Sequence, residues 1–581
     1  MKTSALDNHL STKVKEKLMQ KLTIERTGGQ VLIDQLVLND VDTVFAVPGE
    51  SYLAALDALY GARNQINLIT CRQEGGAAFM AEAFGKVTGK LGVCFVTRGP
   101  GACNASIAVH TAMQDSTPLV LFVGQVARGM SGREAFQEID FSKMFAPPIT
   151  KMAVQIDDPA RIPEVVHHAL TTALSGRPGP VVVALPEDML TEKCVVGDGL
   201  RAKTVRPRAN AQQLSQVRRA LEKSSRPLMI LGGSGWSPKA CSDIKKFAVA
   251  NMLPTAVSFR RQDLFDNYDE LYVGDLSTGV DPSLTKRIKC ADLLLVIGAR
   301  LGEITTQGYT AIKTPVPDVA MIHVYAEATE FGKVFQPETA ILSGMDSFAE
   351  EASTMPAIDN IGWKDWAKDA RQDYLKTLNP DEVTGPLDLA FVVNHLQQKL
   401  PKNTIVTVDA GNFSGWAHRF WRFKNPQTEL GPTAGAMGYS VPAGVAAQIA
   451  KPNQQVISFV GDGGFMMTGQ ELATALQHGA KPIILLFNNS MYGTIRMHQE
   501  RNYPERVIGT DLVNPDFKAL ALAYGAHGER VTKNEEFGPA LTRALGANKA
   551  ALIELITDPE QINTRTTISK LRAHAQSQKL T

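Results

Sequence analysis

The stretch Val460–Glu500, VGDGGFMMTGQELATALQHGAKPIILLFNNSMYGTIRMHQE, decides how the rest of the chain is read. Ahead of it, Gln455–Val460 is an apolar run with the character of a buried strand, and it stops at Gly461-Asp462-Gly463-Gly464. Gly469–His478 has helical periodicity. Ile483–Phe487 is a second buried strand, ending at Asn488-Asn489. The whole reads as a βαβ unit with polar residues at the carboxyl ends of both strands, where open α/β sheets bind ligands.

The residue types at those strand ends suit one chemistry. Glycines around Asp462 let backbone approach a ligand closely, and the segment behind them offers free N–H groups to a phosphate. Asp462 supplies a hard carboxylate oxygen and Asn489 an amide oxygen. Mg²⁺ takes about six oxygens and commonly draws only a few from protein, the rest coming from phosphate and water. A lone Gly-Asp-Gly is usually a turn; its pairing with Asn-Asn at the end of the next strand, after 24 intervening residues, gives the signal its specificity. The stretch resembles the thiamine diphosphate (ThDP) motif of the ThDP-dependent enzyme superfamily. That resemblance implies Mg²⁺ held by Asp462, Asn489 and the backbone carbonyl of Met491, with Gly461, Gly463, Gly464, Tyr492 and Gly493 around the cofactor.

Composition sets the frame. With 581 residues, 44% hydrophobic and 20% charged, the chain should build several domains with large cores. A formal net charge of +1 gives no electrostatic case for nucleic acid or for an acidic membrane surface. No apolar stretch is long enough to span a bilayer. Residues 1–24 are polar and lysine-bearing without the apolar centre of a signal peptide, and read as a leader. The six cysteines form no CxxC pair and read as reduced, buried thiols of a cytoplasmic protein.

From Thr27 onward helix and strand patterns alternate, which argues for parallel sheets covered on both faces. Expected strands at 43–47, 66–71, 92–96 and 119–123 place Glu50, Glu74 and Gln125 at carboxyl ends. The boundaries follow as an N-terminal domain over 25–200, a central Rossmann-like domain over 208–355, a C-terminal domain over 386–558 and a polar tail over 559–581. The fold class is α/β, with three doubly wound parallel-sheet domains. In the middle domain Leu228–Leu231 leads into Gly232-Gly233-Ser234-Gly235, a turn that could admit a nucleotide backbone, and Glu327 could bind a ribose hydroxyl.

Glu74 is the candidate catalytic acid. It follows a buried strand and precedes Gly75-Gly76-Ala77-Ala78, small enough to let a planar ring approach. The bland alternative is an acid favoured by a helix N-terminus. ThDP chemistry needs a carboxylic acid against the aminopyrimidine ring, and a desolvated carboxyl suits that proton sharing. The resemblance narrows here: Cys71–Glu82, CRQEGGAAFMAE, is similar to the acid-bearing segment of the acetolactate synthase (acetohydroxyacid synthase) large subunit. Gly99-Pro100-Gly101, Asn104, Gly124-Gln125-Val126 and Ala135-Phe136-Gln137-Glu138 continue it, as do Ile149-Thr150-Lys151 and Gly435-Ala436-Met437-Gly438-Tyr439. The resemblance implies ThDP- and Mg²⁺-dependent decarboxylation of a 2-ketoacid with carboligation, as in branched-chain amino acid biosynthesis. It makes Met437, beside Gly435, the wedge between the two cofactor rings, and puts Gln125, Phe136, Gln137, Lys151 and His498 around substrate. It also implies FAD in the middle domain, and a homodimer or homotetramer in which Glu74 of one chain serves the cofactor of another.

The pattern departs from that family on the substrate side. Gly298–Ile304 reads GARLGEI, with Ile304 where the family carries an arginine that selects the second ketoacid. His498 replaces a tryptophan, and Pro48-Gly49-Glu50-Ser51 replaces PGGA. A guanidinium binds a carboxylate bidentately and isoleucine cannot. Simple decarboxylation, 2-hydroxyacyl-CoA lysis and flavin-linked oxidation therefore stay open beside carboligation. A non-enzymatic family member is the least economical alternative, because Glu74, Asp462 and Asn489 are intact.

Overall fold

The structure, a computed structural model, describes residues 24–579, so the leader expected over 1–24 lies outside it except for Ile24. Three six-stranded parallel sheets organise the described residues. The N-terminal sheet comprises β1 (Thr43–Ala46), β2 (Asn67–Thr70), β3 (Gly92–Val96), β4 (Leu119–Gln125), β5 (Met152–Gln155) and β6 (Pro180–Pro186). The middle sheet comprises β7 (Pro227–Leu231), β8 (Thr255–Ser258), β9 (Tyr272–Leu276), β10 (Leu293–Ile297), β11 (Ala320–Tyr325) and β12 (Thr339–Leu342). The C-terminal sheet comprises β13 (Ile405–Val408), β14 (Glu429–Leu430), β15 (Val456–Gly461), β16 (Ile483–Asn488), β17 (His527–Val531) and β18 (Ala551–Ile556).

The order in the N-terminal sheet is β2-β1-β3-β4-β6-β5, and in the C-terminal sheet β14-β13-β15-β16-β18-β17. The two topologies are the same. The middle sheet runs β9-β8-β7-β10-β11-β12, the order of a Rossmann sheet. Its strands β7, β8 and β10, like β4, β6, β15 and β16, are buried along their whole length, which is why they read as continuous apolar runs rather than alternating ones.

By packing, the chain forms two compact units. One holds the described residues up to Glu82 with Leu91–Met113 and Thr117–Val205, and contains the N-terminal sheet. The other holds Ala83–Lys90, Gln114–Ser116 and everything from Arg206, and contains the other two sheets.

Several local expectations change. The helix expected over 469–478 is present as Glu471–Gln477, and a further short helix, Asp462–Thr468, precedes it. The latter begins at Asp462 because β15 ends at Gly461 with no intervening loop. The polar tail contains a helix, Ile568–Lys579, packed on the helix Gly493–Asn502. Cys71, Cys94 and Cys241 are buried as expected, but Cys103 and Cys290 are exposed. No helix among the described residues is long and apolar enough to cross a membrane.

Candidate active site

In the C-terminal sheet, chain order reverses between β13 and β15, and a crevice opens beyond their carboxyl ends. A cavity of about 250 Å³ occupies it. Gly461–Gly464, Asn489 and Met491–Gly493 line one side, and Gly435 and Met437 another. The glycines are required by close approach. A Cβ on Gly463 would stand 2.5 Å from the Tyr492 ring, and one on Gly461 2.8 Å from the Phe413 ring.

Asp462 is 3% exposed. One oxygen accepts the Gly463 N–H at 2.9 Å, and the other accepts the side-chain amide of Asn514 at 2.7 Å. Among the described residues no Lys, Arg or His stands within ion-pair distance of it. Burial pushes its pKa up, opposed only by those hydrogen bonds and by neighbouring backbone N–H groups. The same Asn514 amide reaches Asn488 Oδ1 at 3.0 Å, while Asn488 donates to Glu554 at 2.8 Å. Asn489 Oδ1 accepts the Met491 N–H at 3.2 Å. Residues 490–492 are braced by the antiparallel segment behind them: Tyr492 N–H donates to Thr510 and Leu512 N–H to Ser490, both at 2.8 Å.

The loop carrying Met437 is fixed by a second buried carboxylate. Asp409, at the end of β13, accepts the Gly438 N–H at 2.9 and 3.0 Å and the Ala410 N–H at 2.7 Å. Burial raises its pKa to about 6. Leu389, Phe413, Trp416 and Phe487 give the cavity an apolar wall. The Phe413 and Phe487 rings stack with centroids 5.2 Å apart.

In the N-terminal sheet the corresponding reversal lies between β1 and β3. Glu74 opens the helix Glu74–Thr88 and is half-buried. Its Oε2 accepts the Asn104 amide at 2.8 Å. Glu50 is engaged elsewhere: Arg98 pairs with it at 2.8 Å and with Glu187 at 3.0 Å. Gln125 is buried, with its amide spanning from Val126 N–H to the Ile139 carbonyl, so it anchors the loop that carries Phe136 and Gln137. Phe136 is 72% exposed, which excludes a core role for it in this chain. Lys151 stands at the amino end of β5, its ammonium on the Ser175 carbonyl at 2.6 Å, away from the carboxyl edge that holds Glu74 and Gln125. His498 is exposed on Gly493–Asn502, whereas its neighbour Met497 meets Asn412 and Asn563. Ile304 lies in a turn, 37% exposed.

In the middle sheet the reversal lies between β7 and β10. There Gly232 and Gly233 serve internal packing. A Cβ on Gly232 would stand 2.2 Å from Ser258 Oγ, and one on Gly233 2.1 Å from the Gly298 carbonyl. Trp236 donates to the Gly232 carbonyl at 2.8 Å. Gly235 faces open space, and Glu327 is half-buried just beyond β11.

Residues 409–555 match the thiamine pyrophosphate enzyme C-terminal TPP binding domain, 26–144 the N-terminal TPP binding domain, and 214–352 the central domain. The chain is 30% identical over 557 residues to a probable acetolactate synthase large subunit of Methanocaldococcus jannaschii, covering 92% of each protein. The chain belongs to the thiamine pyrophosphate enzyme family. Other relatives agree: an acetolactate synthase large subunit of Corynebacterium glutamicum is 30% identical over 91% of this chain and 86% of its own length. The acetolactate synthase isozyme 2 large subunit of Escherichia coli is 29% identical over 91% and 95%.

The corner at Asp462 suits the cofactor of a thiamine pyrophosphate enzyme. A buried carboxylate without a cationic side chain in reach invites a cation. Among the described residues no group of three or more His, Cys, Asp or Glu could hold a metal by itself. A cation at Asp462 would therefore complete its shell with amide, carbonyl, phosphate and water oxygens, the set Mg²⁺ takes on a diphosphate. Sequence reading did not single out Asn514, Asp409 or the bond from Asn104. They reach the site from distant loops and carry no local motif.

Proposed function

We propose that this thiamine pyrophosphate enzyme decarboxylates a 2-ketoacid of the pyruvate type and joins the remaining fragment to a carbonyl acceptor. With pyruvate in both roles the product is acetolactate. The observation that carries the reading is Asp462, buried, bare of cationic partners, and set with Asn489 at the switch point of the C-terminal sheet. Bound there, thiamine diphosphate supplies an electron sink that lets a carboxyl group leave from beside a carbonyl.

The chain's own part is to hold, orient and exclude water. Asp462, Asn489 and the Met491 carbonyl would hold Mg²⁺ on the diphosphate. The wall of Leu389, Phe413 and Phe487 keeps the cavity dry on one side. Met437, on a loop pinned through Gly438 to Asp409, would part the two rings. Glu74, oriented by Asn104, would hold a proton against the aminopyrimidine, in a site completed by a second copy of the chain. Gln125, Phe136, Gln137, Lys151 and His498 are proposed for the substrate side of that completed site. FAD is proposed for the middle domain at the open Gly235, with Glu327; visible flavin absorption of the purified protein tests it. A cytoplasmic location completes the proposal.

The test is product analysis with ThDP, Mg²⁺ and pyruvate, alone and with ketoacid, aldehyde and acyl-CoA partners. Acetolactate and CO₂ are expected, and no CO₂ from any 2-ketoacid would sink the reading. Glu74→Gln should lower turnover about 100-fold or more while ThDP still binds; unchanged turnover would remove Glu74 from the chemistry. A second reading, with an acceptor that lacks a carboxylate, is favoured by Ile304, which offers no guanidinium where the family selects a ketoacid.

A further inference from the structure

A second cavity, about 530 Å³, opens in the same unit. Tyr268, Lys402 and Arg422 line it, with Asn394, Gln397 and Gln398. Both cations stand over the Tyr268 ring, Arg422 at 3.7 Å and Lys402 at 5.0 Å from its centroid. Lys402 also donates to the Tyr268 hydroxyl at 2.9 Å. Among the described residues neither cation has a carboxylate within ion-pair distance. Arg422 Nε is buried without an acceptor, and Nη2 reaches only the Asn267 carbonyl at 3.5 Å. A guanidinium carries five N–H donors, so most of these remain to be used.

Arg371 stands beside Arg422; its hydrogen bonds go to the backbone carbonyls of Asn267, Tyr268 and Tyr272, and the exposed Glu270 carboxylate lies 3.9 Å from its Nε. Gln397 is committed: it accepts the Arg422 N–H at 2.9 Å and donates to the Phe420 carbonyl at 2.6 Å, which fixes Arg422 at the cavity edge. Lys402 and Arg422, gathered at the Tyr268 ring, repel one another, and a bound anion offsets that repulsion.

We propose that this cleft is an anion site, taking a small oxyanion with two or more charged oxygens between Lys402 and Arg422. Arg422 offers a planar fork for bidentate bonding, Lys402 a point charge, and Asn394 and Gln398 amide donors. The cleft shares two helices with the cofactor cavity. Leu389–Lys399 places Leu389 on the cavity and Asn394 on the cleft, and Ser414–Phe420 places Trp416 on the cavity and Phe420 on the cleft. An occupant of the cleft therefore bears on the elements that wall the cofactor, as an effector would.

The experiment is isothermal titration calorimetry of the cofactor-loaded full-length protein with inorganic phosphate and with citrate, at constant ionic strength. Saturable binding of one anion per chain is expected, weakened about tenfold or more by Arg422→Gln and by Lys402→Gln. Lys399→Gln, on the same helix but outside the cleft lining, should leave it unchanged. Lys402 is exposed on a turn, so Lys402→Gln decides the matter if Arg422→Gln fails to fold. Binding of phosphate alone assigns a phosphate-bearing ligand, and of citrate alone a polycarboxylate. No saturable binding of either, or binding indifferent to both substitutions, overturns the site.

Discussion

Asp462 is a charge the fold would not keep without a use for it. Its partners are hydrogen-bond donors, and a buried carboxylate so placed costs several kcal/mol unless a cation joins it. Asp462→Ala should lose Mg²⁺ and ThDP together, while the apo protein melts no lower than wild type; retained cofactor in equilibrium dialysis would refute the metal role. Asn514 gives a finer test. Its amide donates to both Asp462 and Asn488 and it is absent from the cavity lining, so it would orient the proposed metal ligand from behind. Asn514→Ala should weaken Mg²⁺-dependent ThDP binding about 10- to 100-fold, as loss of a supporting hydrogen bond does at other metal sites. Legibility at this scale follows distance along the chain. Gly461–Gly464 and Asn488-Asn489 are punctuation at two strand ends, readable in place. Asn514 lies 52 residues from Asp462, and Asn104 lies 30 from Glu74, and only the folded loops bring them together.

Among the elements, the helix Gly493–Asn502 links the cofactor corner to the C-terminal helix Ile568–Lys579. Its Glu500 side chain is fully buried, and Arg572 bonds both oxygens at 2.9 and 2.6 Å, with Arg496 beside them. The Arg572 bonds lead in driving the Glu500 pKa down to about 2 from an ordinary 4.5. A depressed carboxylate contributes stability above its unfolded pKa and loses it as pH falls through the folded one. The C-terminal helix should therefore stay docked until strongly acidic pH. Arg572→Ala should cost about 2 kcal/mol and release the helix to limited proteolysis at neutral pH. The tail read as a polar arm because its partner lies some seventy residues earlier, where sequence shows no sign of the pairing. A second pair works with the opposite sign. Asp263 and Glu429 are both buried, with one oxygen each unpartnered, and burial followed by charge interactions pushes Glu429 well above the carboxylate range. Here the proton stabilises the fold below the unfolded pKa, and that contribution is lost as pH rises through the raised one. The urea midpoint should drop between about pH 4.5 and about pH 8, and Glu429→Gln should flatten that slope. A slope unchanged in the variant would place the titration elsewhere.

At the scale of the whole molecule, the N- and C-terminal sheets carry one strand order, and the proposed site residues are divided between them. Alternating helix and strand patterns disclosed three parallel sheets. They disclosed a βα layout shared by the first and third segments but not the common strand order, because short strands such as β14 and β5 carry too few residues to show a period. Asp462 and Asn489 stand at the switch point of one sheet, and Glu74 beside that of the other. In the proposed site neither set would suffice alone, since a diphosphate clamp would need the acid and the acid a ring to face. If the site is completed by a second copy, each dimer carries two sites, and each site draws Glu74 from one chain and Asp462 from the other. A chain bearing Glu74→Gln and a chain bearing Asp462→Ala would each be inactive alone. In a mixed dimer, both lesions fall in one site and the other site is intact. Equal amounts, unfolded together and refolded, should form about half mixed dimers and recover about a quarter of wild-type turnover. If both halves of the site came from one chain, every site in the mixture would carry one lesion. Turnover would then stay at the level of the single variants, and the assignment of Glu74 to a partner's cofactor would fall.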